Sequence, residues 1–283
     1  CDPLFLKLLI DTSKQWPINW GAFKKHLIIG EETFGENYRD YVGKQLHINP
    51  DDPDTGLIGS SMGVGELGLN LGFETVETIA LRRIINKSPE LLRTLFGWND
   101  ANDPLPMLFA YNPLSYYLET IEINQDGFGH LLVSILDKKE PIPLFRYQTG
   151  DKAKLLTSQD IEAAFEIAGL PRPMLPKFPL MCIRGRDKDR LASGLHIGAI
   201  KDALYQDHDF ADRITGAFRI EQTNPTQIHI QLRPMITPES IDLTDINVKG
   251  TILFSKENVR LWDFDAFPFG KTIDYERKFS YLA

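Results

Sequence analysis

Apolar residues near the start of the chain recur with the spacing of an amphipathic helix. In residues 2–10, DPLFLKLLI, an aspartate and a proline precede the leucines as an N-cap and a first-turn residue would, which predicts a helix to about Lys14. Residues 26–29, HLII, are a short apolar run that favours a buried strand. Residues 34–42 then carry Phe, Tyr and Val on one helical side. The chain is therefore expected to begin helix, strand, helix.

The strand, turn and helix order then recurs. Residues 56–60 predict a strand, and Gly63 and Gly65 predict a glycine-rich turn after it. Residues 73–98 predict two helices that part near Ser88. Such alternation is typical of an α/β fold, in which ligands bind at the carboxyl ends of parallel strands.

Beyond residue 106 the pattern changes to short extended runs. The predicted strands are residues 107–111, 117–123, 130–136 and 145–147. They favour a small antiparallel barrel or sheet. A helix capped by Ser158 is expected to run through Ala168. Residues 171–179, which hold four prolines, predict a stiff connector.

The last part of the chain predicts an α+β module of about 100 residues, the size of a small domain. A strand at 181–183 is expected before it, and its own expected elements are a charged turn at 185–189, a helix at 197–205, strands at 217–221 and 227–232, and a strand or helix end at 248–254. We expect this module to begin near residue 185.

The composition and net charge of the chain argue against some classes of binding partner. The chain has 283 residues, of which 42% are hydrophobic, enough for the core of a soluble globular protein. Its net charge of −8 and its pI near 5.3 argue against nucleic acid and against an anionic membrane, because both need a basic face. No run of about 18 apolar residues is present to span a membrane. We therefore expect no nucleic acid and no membrane partner.

Cysteine and histidine usage argues against structural disulfides and zinc. Cys1 and Cys182 lie far apart and match no metal-ligand spacing, which favours a reducing compartment, the cytoplasm. The histidines show no HxH or HxxxH spacing, so no zinc site is expected. A start at Cys1 without methionine suggests a cut inside a larger protein.

One stretch carries candidate chemistry. Residues 141–151, PIPLFRYQTGD, begin apolar, alternate from Phe145 to Gln148 and stop on Gly150 and Asp151. A carboxylate presented after a strand could accept hydrogen bonds from both hydroxyls of a ribose. The alternative is an ordinary Gly-Asp turn.

That stretch belongs to an ordered series of motifs. Residues 127–151, GFGHLLVSILDKKEPIPLFRYQTGD, are similar to the pattern G-x-L-x-V-T-x-L…P-L-x-R-Y-x-T-G-D. The other motifs are IIGEET at 28–33, MGVGE at 62–66, GRDKDRLASGLHI at 185–197 and FGK at 269–271. In these motifs the chain resembles the carboxyl-terminal two-thirds of the adenylate-forming acid ligases, and within them most closely the phenylacetate-CoA ligase branch.

The chain departs from the family pattern at several points. Met62 and Gly65 stand where the Y-G-x-T-E motif has Tyr and Thr, and Lys188 replaces the first aspartate of the hinge pair. The Ser/Thr/Gly-rich phosphate loop that precedes these motifs in the family is absent from these residues. The departures leave open a degenerate member that binds a nucleotide or a partner without catalysis.

The resemblance implies an α/β plus α+β fold in two parts. Residues 1–184 would be the carboxyl-terminal part of a large adenylation domain, with an α/β subdomain at 1–105 and a β-rich subdomain with a small barrel and connector at 106–184. Residues 185–283 would form a mobile lid domain.

The implied reaction is attack of a carboxylate on the α-phosphate of ATP, followed by transfer of the acyl group from AMP to a thiol. The thiol would belong to CoA or to an acyl carrier protein. Within the branch an aryl acid is the preferred substrate, a fatty acid is next, and a homodimer is an open alternative.

The resemblance also assigns the nucleotide site. Asp151 would bind the ribose hydroxyls, Arg186 would bind ribose or phosphate oxygens, and Glu66 would hold Mg²⁺, a cation that keeps most of its water. The remaining nucleotide-binding residues would be Gly30, Glu31, Glu32, Met62 and Gly63.

Two lysines have implied roles in catalysis and motion. Lys188 would be the hinge about which the lid turns between an adenylating and a thiol-transferring pose. Lys271 would be the catalytic lysine that stabilises the developing negative charge. It is chosen over Lys278 because Gly270 precedes it.

Overall fold

Helices and strands alternate in the first part of the chain, as the pattern predicts. The computed structural model describes residues 1–97, 102–136, 143–248, 251–269 and 280–282. The helices are α1 (Pro3–Ser13), α2 (Glu36–Leu46), α3 (Val76–Lys87), α4 (Pro89–Phe96), α5 (Ser158–Ile167), α6 (Ile197–Ala203) and α7 (His208–Ala211). Within the described ranges, none of these helices has the length and apolar content needed to cross a membrane.

The strands form one large sheet and two small ones. They are β1 (Lys25–Ile29), β2 (Gly56–Val64), β3 (Gly68–Phe73), β4 (Met107–Ala110), β5 (Tyr116–Ile121), β6 (Gly129–Ile135), β7 (Tyr147–Leu156), β8 (Leu180–Gly185), β9 (Ile214–Glu221), β10 (Gln227–Leu232), β11 (Ile246–Val248), β12 (Thr251–Phe254) and β13 (Val259–Trp262). The large sheet has eight strands in the order β1-β2-β3-β4-β8-β7-β6-β5. The small sheets are β13-β10-β9 and β11-β12.

The large sheet is mixed. β1 and β2 pair in parallel, with α2 as the crossover between them, and the other neighbouring pairs are antiparallel. The carboxyl ends of β1 and β2 therefore lie at one edge of the sheet, as expected for a βαβ unit. Strands from both expected subdomains, 1–105 and 106–184, belong to this one open sheet, and the described strands do not close into a separate small barrel.

Several expected element bounds are wrong, and pairing between strands explains those at β2 and β3. β2 does not turn at Gly63 but continues to Val64, because β3 folds back and pairs with it. Phe73 is the last residue of β3 and not the first of a helix. The N-cap of α5 is Thr157, whose hydroxyl accepts from the backbone N–H of Asp160 at 3.2 Å, and not Ser158.

The strand that contains the ribose-site motif is also shifted. It was expected at 145–147 with a turn at Gly150 and Asp151, yet β7 begins at Tyr147 and runs to Leu156. The left-handed φ of 84° at Gly150 is accommodated within the strand, followed by a register shift against β8 between Lys152 and Ala153. Asp151 therefore lies inside a strand next to a bulge.

The core continues across residue 185. α1 and α2 pack against β9 and α6, and the rings of Tyr38 and Tyr205 meet edge to face with centroids 4.8 Å apart. Asn37 at the start of α2 donates its backbone N–H to Asp202 Oδ1 at 2.9 Å. A rotation of residues 185–283 as a lid would have to break this packing, and their mobility stays a prediction.

A buried ion network fixes α2 against its neighbours. Glu36, in the first turn of α2, accepts from Arg39 at 3.1 Å, from Arg83 at 3.0 Å and from Arg82. Arg39 also reaches Glu74 at 2.8 Å, and these five side chains are all buried. Burial alone would raise the pKa of Glu36, but the three guanidinium groups outweigh it and hold that pKa below its usual value.

We expect the Glu36→Gln substitution to destabilise the fold by about 3 kcal/mol or more, because it removes the carboxylate shared by three buried arginines and leaves Arg82 without an anionic partner. Urea denaturation of both proteins measures the difference. The control is Glu90→Gln, which breaks an exposed pair with Arg93 and should cost under about 1 kcal/mol. Equal losses in the two variants would contradict a structural role for the network.

Candidate functional site

A cavity of about 200 Å³ opens where β1 and β8 end. Five residues predicted from the sequence line it together: Glu31, Glu32, Asp151, Arg186 and Lys188. These residues come from three separate stretches of the chain. The folded structure therefore assembles the β1 loop, the β7 carboxylate and the turn after β8 around one small volume.

Asp151 and Arg186 form the ion pair of this cavity. Arg186 Nε donates to Asp151 Oδ1 at 2.9 Å, and the Asp151 side chain is almost wholly buried while that of Arg186 is 43% exposed. The hydrogen bond that Arg186 donates to Asp151 is the main reason that the pKa of Arg186 is raised. The pair places an acceptor and a permanently charged donor side by side, which suits a ligand with both hydroxyls and anionic oxygens.

The loop after β1 is tightly turned. Gly30 donates its N–H to Cys1 O at 2.9 Å, and Glu32 donates its N–H back to Gly30 O at 2.8 Å. This three-residue turn holds Glu31 at a φ of 70°, a left-handed conformation that costs a non-glycine residue on the order of 1–3 kcal/mol. Surrounding contacts must therefore hold the loop against local strain.

Glu32 is held from two sides. Its Oε2 accepts from Lys201 Nζ at 2.5 Å and from the Tyr281 hydroxyl at 3.1 Å. Lys201 Nζ also lies 3.9 Å from the centroid of the Tyr281 ring. Burial, and then the charge of Glu32, raise the pKa of Tyr281. The Glu32 carboxylate ties the loop to α6 and to residues 280–282.

His196 lines the cavity together with Arg186. Its Nδ1 caps α6 by accepting from the Gly198 N–H at 2.9 Å, so the ring is neutral when it performs this role. Burial, followed by the charge of Arg190, lowers the pKa of His196 to about 4. A side chain at Gly185, which has a φ of 113°, would meet the His196 ring at 2.8 Å. Glycine is thus required at the end of β8.

Four predicted residues lie outside the cavity lining: Gly30, Met62, Gly63 and Glu66. Met62 is half-buried in β2 and packs against the core, Gly63 is exposed, and Glu66 is exposed in the short turn that follows. The hydroxyl of Tyr147 donates to Glu66, which raises the pKa of Tyr147, and Tyr147 also feels the charge of Arg186. Glu66 is therefore linked to the Asp151 pair through one tyrosine.

Gly30 and Lys271 complete the predicted set. Gly30 begins the strained loop, and a side chain there would have ordinary van der Waals room beside Ser61. Lys271 lies outside the described residues. No motif in the sequence indicates that Lys201 or Tyr281 belongs to the site, because both are far from Glu32 along the chain. The N-cap at His196 could have been read from its place before Ile197 at the start of a helix.

A dedicated metal centre is not found in the described ranges. No group of three His, Cys, Asp or Glu side chains there is arranged to hold an ion. The exposed carboxylate of Glu66 fits Mg²⁺, which commonly takes one or two carboxylates, several waters and the phosphates of a substrate.

Comparisons with known proteins give distant structural likeness only. Neither models of known protein families nor curated proteins match the chain. Among solved structures, an open conformation of 2-hydroxyisobutyryl-CoA ligase in complex with 2-HIB-AMP and CoA is similar with 12% identity and a TM-score of 0.43, over 100% of this chain and 54% of that one.

Fatty acyl-adenylate ligases from E. coli and L. pneumophila are similar with 14% identity and a TM-score of 0.44, over 84% of this chain and 43% of that one. The chain thus spans about half the length of the ligases that it matches. Likeness at this distance does not identify a reaction, so a functional conclusion must rest on the residues of this chain.

The neutral His196 predicts a pH dependence of stability. Its pKa of about 4 in the folded chain lies below the ordinary 6.5, so the unfolded chain takes up a proton first and stability falls between pH 6.5 and pH 4. We expect His196→Asn, which keeps a capping acceptor, to gain about 3 kcal/mol relative to the wild type between pH 7 and pH 4.

Denaturation of both proteins across that pH range is the measurement. His47→Asn is the matched control, because His47 is an exposed histidine at the end of α2. A stability difference between His196→Asn and wild type that stays constant with pH would show that the ring is not kept neutral by burial.

Proposed function

We propose that this chain is the carboxyl-terminal part of an adenylate-forming acid ligase, which activates a carboxylic acid with ATP through an acyl adenylate. The observation that carries the proposal is the meeting of Asp151, Arg186 and the Glu31 loop at one cavity. Each of these residues belongs to a different motif of the ordered series in the sequence.

Asp151 and Arg186 would hold the nucleotide between them. Arg186 occupies Oδ1 of Asp151, and the second carboxylate oxygen would accept from the ribose hydroxyls. The structure gives the terminal amino groups of Arg186 no hydrogen-bond partner within the described part of the chain, so they would donate to phosphate oxygens. The backbone of the Glu31 turn would lie along the base, because the Glu32 carboxylate is already bound by Lys201 and Tyr281.

The reaction needs cations more than it needs a base. An oxygen of the substrate carboxylate attacks the α-phosphorus of ATP, the bond to the pyrophosphate oxygen breaks, and pyrophosphate leaves. Negative oxygens approach one another in this step, so Arg186 would neutralise charge from within the cavity. Lys271 would add a second cation, and Lys188, which lines the cavity, would be the pivot of the lid.

Mg²⁺, when bound, would neutralise the phosphate oxygens. Glu66 would be its protein ligand, and Tyr147 would orient that carboxylate by donating its hydroxyl. Met62 and Gly63 lie on β2, which ends before Glu66. Neither lines the cavity, so they would contact a nucleotide only beyond its lining.

The substrate and the acceptor thiol are proposed from the branch that the motifs resemble. An aryl acid is the preferred substrate, and the acyl group would pass to the thiol of CoA or of a carrier protein as AMP leaves. A homodimer in the cytoplasm is part of the same proposal.

We expect Asp151→Ala in the full gene product to lower acid-dependent exchange of pyrophosphate into ATP by about 10- to 100-fold, because charge-assisted hydrogen bonds to the ribose are lost. The exchange assay is run over aryl and fatty acids, and the acid class that supports exchange names the substrate. Asp54→Asn, at an exposed loop residue, is the control and should match the wild type.

Exchange that is unchanged in Asp151→Ala would contradict the assigned site. No exchange by the wild type with any acid would instead favour a second function, in which the chain binds a nucleotide without catalysis. Met62 favours that alternative, because it stands where the Y-G-x-T-E motif has a tyrosine and lies half-buried against the core.

A further inference from the structure

A second cavity, of about 330 Å³, lies against the candidate site. It shares Gly185, Arg186 and His196 with the first cavity and extends toward the turn between β5 and β6. The motifs do not assign a ligand to it. Arg186 lines both cavities, so a group bound in the second would lie beside the Asp151 pair.

Lys152 gives this cavity its own cation. It follows Asp151 on β7, and the two neighbours line different cavities, as alternation along a strand requires. Lys152 Nζ lies 2.9 Å from His130 Nε2 and 3.4 Å from Asp187 Oδ2. Its ammonium has three N–H donors, so it can bind an anion while keeping the contact with His130.

Three arginines line the same cavity. Arg184 is buried, and its guanidinium carbon lies 3.7 Å from the centroid of the Phe128 ring. Arg190 donates to Gly194 O at 2.9 Å and to Asp103. Arg186 uses only Nε for Asp151, and its terminal amino groups have no hydrogen-bond partner within the described ranges. Arg184 Nε also lacks a partner within the described ranges, but it is buried. Arg186 and Lys152 are therefore the cations with accessible donors to spare.

Two of the three carboxylates of the cavity are paired with its own arginines, Arg184 and Arg190. Asp103 is bound by Arg184 at 3.3 Å and by Arg190, and Asp126 is bound by Arg184 at 3.3 Å. Asp187 is 63% exposed and pairs only with Lys152 in the described structure. Asp103 and Asp126 occupy Arg184 and Arg190, and Asp151 occupies only Nε of Arg186. The one weakly held carboxylate of the lining, Asp187, is the one that competes for Lys152.

We propose that this second cavity binds a phosphate group, held by Lys152 and by the terminal amino groups of Arg186. A planar guanidinium and an ammonium that line one cavity can both donate to the tetrahedral oxygens of a phosphate. The site adjoins the nucleotide cavity and shares Arg186 with it. A guanidinium has two terminal amino groups, so one can donate to this phosphate while the other donates to a nucleotide, and the site does not depend on the ligase function. The group belongs either to a free inorganic phosphate or pyrophosphate, or to a phosphate monoester.

The test is calorimetric titration of the full chain with pyrophosphate and, separately, with glycerol 3-phosphate. We expect saturable binding that weakens with salt, about tenfold weaker in Lys152→Gln and several-fold tighter in Asp187→Asn, which removes the competing carboxylate. Lys256→Gln, at an exposed lysine distant in sequence, should bind as the wild type does.

Binding of the ester places the phosphate on a larger ligand, and binding of pyrophosphate alone identifies a free anion. Absence of saturable binding in the wild type would overturn the proposal, as would affinities that do not change in the two variants. Lys152→Arg should restore binding, which separates a lost cation from a damaged fold.

Titration in the presence of saturating AMP separates the two cavities. We expect pyrophosphate to bind with AMP present and in the Asp151→Asn variant. Competition by AMP would place the anion in the nucleotide cavity and overturn the second site. If the chain does not bind AMP at all, the ligase proposal fails while the effects of Lys152→Gln and Asp187→Asn still decide this one.

Discussion

The contact of Glu36 with three buried arginines positions the start of α2, and the candidate site depends on that position. Arg82 reaches from α3 to the carbonyl oxygens of Phe34 and Pro106, both at 2.9 Å, and so holds the segment that follows the Glu31 turn. Removing charged groups from water costs several kcal/mol each, so the network is favourable only when every donor finds its acceptor. The buried network around Glu36 therefore supports the strained turn at Glu31.

The site itself is built where the ends of β1 and β8 meet an internal residue of β7. Arg186 lies between two cavities and uses one nitrogen for Asp151, which leaves its remaining donors for ligands on either side. Glu32, bound by Lys201 and Tyr281, joins the β1 loop to the last described residues. Parts of the chain more than two hundred residues apart thus shape the same wall.

Local patterns predicted much of this architecture. The Asp2 N-cap, the helices on either side of Ser88 and the strands from 107 to 136 follow from capping and periodicity, which act between near neighbours. The extension of β2, the position of Asp151 within β7 and the joining of all eight strands in one sheet depend on pairing with distant strands. Motif order located Asp151 and Arg186, whereas nothing local could indicate that Lys201 and Tyr281 would share Glu32.

Because β7 contains a bulge, the number of residues in that strand decides which cavity each side chain lines. Asp151 and Lys152 are neighbours in sequence yet serve different cavities, and their assignment depends on the register shift that follows them. A one-residue slip in a strand exchanges every side chain between the two faces of a sheet. Loss or gain of a single codon between Tyr147 and Asp151 would therefore place the cation Lys152 where the anion Asp151 belongs. Homologues of this chain should accordingly tolerate replacements there more readily than insertions or deletions.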